Sequence, residues 1–256
     1  MATRATGRRA MWAAIAAVLI LLYLPLVPPL LFSVAGEGGG RGDVTLRWYA
    51  EMWQNPLLVA SIRTSVLVAL LTGLATPPLA LLAALAVREL RIPRLVMALM
   101  LLPLFVPAVS MGLGMAFLFR LLGIAPSFWT IALVHVAWAL PFAFLILLTV
   151  MATFDPIYLE AAYVHGAGRW RAFRDIELPL IWPGVSGAAI FAMILSFNET
   201  VRTALVQGPL NTVQTYIWST FLQIGLSPTL YALMSVIIVL TLAMVAALTL
   251  QRSRRT

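Results

Sequence analysis

Long stretches of this chain carry no charge at all, and they decide what it can become. Residues 10–36, 64–87, 95–119 and 203–251 contain no Asp, Glu, Lys or Arg, and residues 127–154 hold His135 as their one ionisable nitrogen base. A helix needs about 20 apolar residues to cross the hydrocarbon core of a bilayer. There, backbone N–H and C=O groups must be paired inside the chain, so runs of this length fold as helices. Composition agrees: the chain is 62% apolar and 10% charged, against roughly 25% charged in soluble domains. The reading is an all-α integral membrane protein.

Six transmembrane helices are expected, at about residues 10–33, 64–87, 95–119, 127–153, 183–202 and 230–250. The first run is longer than the ~7–15 apolar residues of a signal peptide, although its basic flank and Ser33-Val34-Ala35 also suit one. Pro25, Pro28 and Pro29 should bend its far end, and the Pro77-Pro78 pair should kink the second span. Trp48, Tyr49 and Trp53 read as interfacial anchors on an external loop. Residues 203–251 are long enough for two helices, so parity has to be argued. Their first part is interrupted by Gly208, Pro209, Asn211, Gly225 and Pro228, and reads as a short amphipathic helix at the outer face. Of the seventeen basic residues, all arginine, twelve fall at the amino end, in the 88–94 turn, in the 155–182 loop and in the tail, and five in the loops assigned outside. Basic residues concentrate on the cytoplasmic side. Six spans with both termini cytoplasmic satisfy that rule.

Several chemistries are excluded. Without cysteine there is no disulfide or thiol catalysis, and with two histidines there is no multi-histidine metal site. A phosphate-cradling G-x-x-x-x-G-K-[ST] loop is absent, as is lysine, so the chain has no ATP site of its own. The net charge of +8 would suit nucleic acid or anionic lipid. Because the arginines lie at the ends of the spans, lipid is the partner they indicate, and no nucleic acid is expected.

The longest polar interruption, residues 155–182, is a cytoplasmic loop in this topology. Asp155 can accept from the free N–H groups of a helix that Pro156 begins, and Gly166 is placed to end it. Glu160, Ala161 and Ala162, with Gly166, Ala167 and Gly168 after them, leave one surface with little side-chain bulk, suited to a socket. Trp170 and Phe173 follow among Arg169, Arg171 and Arg174, a pattern suited to a bilayer surface. Glu160, Ala161, Ala162, Gly166, Ile176, Leu178 and Pro179 occupy every position of a spaced pattern: EAA, three residues, Gly, nine residues, Ile, one residue, Leu-Pro. The chain thereby resembles the membrane subunits of bacterial ABC importers, whose EAA loop has this pattern; His165 stands where the family usually has an acid.

Glu199 is an acid near the outer end of a span, ~24 Å along the helix from Pro183, where a charge faces a cavity or a partner. Arg202 is its nearest candidate partner, so the pair is read either as a structural salt bridge or, with Asn198, as a contact to a cationic substrate. His135 and Trp138, one turn apart, read as helix packing or as part of the same path, and Ser110 is a further path candidate. Over nearly its whole length the chain is similar to the polyamine-type permeases, through RWYAEMW, LLGIAPSFWT and ALVQGPLNTVQTYIWSTFLQIGLSPTLYAL; in that subfamily the Asn198-Glu199 position is often a pair of acids.

The resemblance implies a Type I ABC importer permease fold in the bacterial inner membrane, for polyamines or a related small cationic or zwitterionic solute. It implies two ATP-binding cassette subunits carrying ATP and magnesium, which dock on residues 160–168. It also implies a second homologous permease subunit, in a heterodimer, and a periplasmic solute-binding protein. The chain itself would hold no cofactor and catalyse nothing. The alternative is an ATPase-independent secondary transporter or channel, which would need intramembrane acids for ion coupling; the spans between residues 64 and 154 have none.

Overall fold

The computed structural model describes the backbone of residues 2–36, 43–90 and 93–253, and the side chains of residue 8 and of 11–36, 43–90 and 93–243. Arg4, Arg9, Arg41, Arg91, Arg252, Arg254 and Arg255, all used in the sidedness count, have side chains outside the described residues. The described chain is helical apart from turns and one isolated antiparallel bridge, Ala35 to Val44. It divides into two units, residues 1–59 with 219–256, and residues 60–218.

The first unit starts with α1 (Ala2–Tyr23), a 3-10 turn (Leu24–Leu26) and α2 (Val27–Phe32). Pro25 and Pro28 sit in the first turns of the latter two, where their missing N–H groups cost nothing. The prolines therefore tighten the run, and Met11–Phe32 is long and apolar enough to cross a membrane. Next come α3 (Arg47–Gln54) and, from the far end of the sequence, α13 (Pro228–Ser253); the expected sixth span began two residues later. Two of the three expected surface aromatics instead point inward. Trp48 is buried and donates to the Ala35 carbonyl at 2.8 Å, while the Tyr49 hydroxyl lies 2.9 Å from Ser33 Oγ and 2.8 Å from Ser235 Oγ. Each ring has a polar end, and folding satisfies it within the unit. Trp53 stays exposed.

The second unit takes in most of α4 (Pro56–Glu89), then α5 (Pro93–Leu101), α6 (Ala108–Leu121), α7 (Phe128–Ala152), α8 (Ile157–Val164), α9 (Arg169–Ala172), α10 (Leu178–Phe197), α11 (Val201–Val206) and the first half of α12 (Val213–Ile224). Helix α4 begins eight residues before the uncharged run does, and stays continuous through Pro77 and Pro78. The expected third span is broken: α5 and α6 meet at 105°. Pro107 forces the residue before it out of the helical region, and Val106 is extended at φ −86°, ψ 124°. The fifth span is also shifted. One helical course runs from Arg169 to Phe197, so Pro183 lies inside it and Arg202 lies beyond it on α11. Among the described residues, four helices are long and apolar enough to cross a membrane, or five if the bent α5–α6 pair is one span.

Two apolar clusters hold this unit. Ala80 and Ala84 of α4, Ala143, Phe144 and Leu147 of α7 and Ala188 of α10 form one; Val68, Phe119, Ile131, Val134 and Val206 tie α4, α6, α7 and α11 in the other. Small residues bring the backbones close, as membrane helices require when water does not drive them together. At Gly184 a Cβ would sit 2.6 Å from Val150 Cγ2. Gly184→Val should therefore destabilise the protein by about 1–3 kcal/mol through overpacking, and Val150→Ala in the same chain should recover part of the loss. Thermal unfolding of the single and double variants in detergent checks this; no recovery would place the strain elsewhere.

Candidate functional site

Two groups of residues stand out in the second unit, one on the loop after α7 and one where α7, α10 and α11 meet. On the loop, Asp155 Oδ1 accepts from the Ile157 N–H at 3.0 Å and so caps the start of α8. At the other end the Gly166 N–H donates to the Tyr163 carbonyl at 3.0 Å and the Ala167 N–H to the Ala162 carbonyl at 2.9 Å. This paired stop needs its glycine in the left-handed region, and Gly166 is there at φ +81°. Between these caps α8 exposes Ile157, Tyr158, Tyr163 and Val164, the last 86% accessible. Glu160 and Ala161 are exposed and Ala162 is buried. At Gly166 and Gly168 a side chain would meet nothing within 4 Å, and Ala167 is half-buried. Glu160 forms no ion pair among the described residues. Beside α8 lies a recess of about 430 Å³, with Ala161, Ala162, Ala167 and Ala172 in its lining together with Tyr158, His165, Arg171, Asp175 and Ile176.

The chain passes from α8 to α10 through α9 and a single wide π turn, Phe173–Glu177. Trp170 and Phe173 lie together there, with ring centroids 5.7 Å apart. The turn carries Glu177 inward until only 1% of it is accessible, and Arg88 at the end of α4 meets it with two bonds, Nη1 to Oε1 at 2.5 Å and Nη2 to Oε2 at 3.3 Å. Glu177 was not singled out from the sequence. The available signal was its place between Ile176 and Leu178 at the head of an apolar run, where an unpaired acid would be costly.

The second group assembles at the end of α10. Asn198 and Glu199 interrupt the helix: the Asn198 side-chain amide donates to the Ile194 carbonyl at 2.9 Å, and Glu199 Oε1 accepts from the Arg202 N–H at 2.8 Å. Glu199 Oε2 is bonded to Arg202 Nη1 at 2.6 Å, with both side chains 6% accessible. Arg202 Cζ stands 3.6 Å from the centre of the Trp138 ring. One turn earlier on α7, His135 joins α10 to α11, with Nδ1 2.7 Å from Ser196 Oγ and Nε2 2.7 Å from Thr203 Oγ1. The Thr203 hydroxyl donates to the Glu199 carbonyl at 3.1 Å, so it accepts from His135, and the proton is assigned to Nε2. Gly112 of α6 backs the group; a Cβ there would lie 3.2 Å from Arg202 Cα. His135, Trp138 and Glu199 are thus brought together with Arg202. Asn198 and Ser110 are both exposed and take no part in this network. Among the described residues no three His, Asp or Glu side chains converge as metal ligands.

Residues 76–256 match the family described as "Binding-protein-dependent transport system inner membrane component". The spermidine/putrescine transport system permease protein PotC of Escherichia coli is 27% identical over 235 residues, covering 90% of this chain and 89% of that protein. Its counterpart from Haemophilus influenzae is 26% identical over 228 residues, covering 88% and 89%. The fold is similar to that in the crystal structure of a bacterial ABC transporter involved in the import of the acidic polysaccharide alginate, with a TM-score of 0.74 at 14% identity over 96% of this chain and 97% of that one.

The Arg88–Glu177 pair is asymmetrically buried, at 39% and 1% accessible, and that fixes an order. Arg88→Ala leaves a buried acid unpaired and should cost about 3–5 kcal/mol. Glu177→Gln leaves a cation that water reaches, and should cost about 1.5–3 kcal/mol. Thermal unfolding of the two variants measures the order; equal losses would contradict the asymmetry.

Proposed function

The chain belongs to the binding-protein-dependent transport system inner membrane components, non-catalytic membrane subunits of ABC transporters, and from that premise we propose that it forms half of the translocation pathway of an ATP-driven Type I importer. In this reading it spans the bacterial inner membrane six times, both termini are cytoplasmic, and α13 and the bent α5–α6 pair each count as a span. The distribution of arginines in the sequence supports that sidedness. A second, homologous permease forms the other half, in a heterodimer. Two ATP-binding cassette subunits supply the energy from ATP and magnesium, and a periplasmic solute-binding protein delivers the substrate. The solute is a polyamine or a related small cationic or zwitterionic molecule, as the names of the relatives suggest.

The observation that carries the reading is the surface of α8. It exposes four large apolar side chains on a helix too short to cross a membrane, and apolar surface of that kind marks a protein contact. The helix is capped at both ends, so it is a rigid knob. Glu160 and Ala161 lie on its open face, and Gly166, Ala167 and Gly168 keep its exit low, so a groove on an ATPase subunit can close over it. Movement of that groove would push α8, and the push would reach α10 through α9 and the π turn, whose position the Arg88–Glu177 pair fixes on α4.

Two measurements test this. Because the chain has no cysteine, Glu160→Cys provides a single label. In vesicles stripped of the ATPase subunits, a membrane-impermeant maleimide should modify it when they are inside-out and not when they are right-side-out; the opposite pattern would remove the ATPase from reach. Gly166→Val places a branched side chain at positive φ, a strain of about 1–2 kcal/mol, at the end of the knob. In reconstituted importer it should lower uptake at least tenfold while ATP hydrolysis by the copurified partner continues. Unchanged coupling would count against the knob as the point of transmission.

A further inference from the structure

Carboxylates and the faces of aromatic rings are the groups that hold ammonium and guanidinium ions. Glu199 and Trp138 make such a seat, and it is taken. Both Glu199 oxygens are engaged by Arg202, one by its backbone N–H at 2.8 Å and the other by Nη1 at 2.6 Å. The guanidinium carbon lies 3.6 Å from the Trp138 ring centre. Glu199 and Arg202 are 6% and 5% accessible, and Gly112 lets α6 close against the Arg202 backbone.

We propose that Arg202 is a specificity-determining residue, a tethered guanidinium that fills the cation seat between Glu199 and Trp138 and prevents a substrate ammonium group from binding there. The inference rests on the reading of this chain as the permease of a small cationic or zwitterionic solute, and it narrows that reading. A tethered group competes at an effective concentration of the order of millimolar or more, so a free diamine at micromolar levels is excluded. Transport gains from this, since a path must bind its solute weakly enough to release it, and a vacant buried acid beside an aromatic face would trap a polycation. The acid and the guanidinium cancel, so this site carries no net charge. Its unspent group is a donor: Arg202 Nε is buried with no hydrogen-bond partner among the described residues.

The test uses the full chain purified from the membrane with its associated subunits and without the binding protein, with putrescine and ethylguanidinium as probes. For the unaltered protein, neither cation at millimolar concentration should give a saturable change in thermal stability or tryptophan fluorescence. Arg202→Ala should be less stable, ethylguanidinium should restore part of the loss saturably, and Glu199→Gln in the same chain should abolish that rescue. A folded Arg202→Ala protein that responds to neither cation would overturn the proposal. So would saturable putrescine binding by the unaltered protein that disappears in Trp138→Leu or Glu199→Gln, a result that can be read even if the Arg202 variant does not fold. Copurification of a P-loop ATPase is scored separately, so the importer reading and this one can fail independently.

Discussion

In an apolar medium a polar group without a partner costs several kcal/mol, and nearly every departure of this chain from plain helix follows from that constraint. Where the course of a helix is interrupted, the liberated groups are met locally. The Asn198 amide takes up the Ile194 carbonyl, the Glu199 carboxylate takes up the Arg202 N–H, and Ser33 donates to the Leu30 carbonyl at 2.7 Å where α2 ends. Buried charges come in pairs for the same reason: Glu177 with Arg88, Glu199 with Arg202. Polar residues are scarce in the long helices, and most of the buried ones are bonded, as Thr72, Thr130, His135 and Ser196 are, with Thr76 Oγ1 an exception.

That economy explains how much of the chain can be read from its sequence. Long uncharged runs announce helices because nothing else satisfies their backbones, so the all-helical character was legible. Helix ends were less so. The expected span 183–202 took in Asn198, Glu199 and Arg202, and what stops the helix at Phe197 is a set of side-chain bonds made by Asn198 and Glu199, whose partners hydropathy does not reveal. The break between α5 and α6 had its cause in plain view at Pro107, but prolines in membrane helices bend some slightly and end others, and the outcome depends on what packs alongside. Trp48 and Tyr49 look like interfacial residues by type; only folding reveals Ala35, Ser33 and Ser235 as their partners.

The candidate sites divide similarly. Residues 155–179 could be recognised because α8 is specified locally, by Asp155 at one end and Gly166 at the other, and local specification leaves a spaced pattern in sequence. Glu177 escaped notice because its partner is 89 positions away and a π turn, not the regular helical period, brings it inward. His135, Trp138 and Glu199 could each be picked out as polar or aromatic residues in apolar surroundings. Their convergence on Arg202 could not, since it depends on α11 turning back over α7 after the break at residues 198–200.

The geometry of that break bears on how a push at α8 could be felt at the other end of α10. From Arg169 to Phe197 the helix course is continuous, and at ~1.5 Å per residue it spans ~43 Å, enough to pass through a bilayer's hydrocarbon core with residues to spare. Such an element transmits displacement best if both ends are clamped to neighbours and if its interior packs closely. Arg88 clamps it near the π turn, Ser196 and Glu199 tie its far end to His135 and α11, and Ala188 and Gly184 set it close against α7 between them. Shifting α10 along its axis strains the His135 bridge and the elbow to α11 together, and α11 carries Arg202. Arg202 lies just beyond the end of the helical course that follows α8, so in the proposed reading work delivered at α8 would move the guanidinium without breaking its bonds to Glu199, because both ride on the same elbow while Trp138 stays with α7.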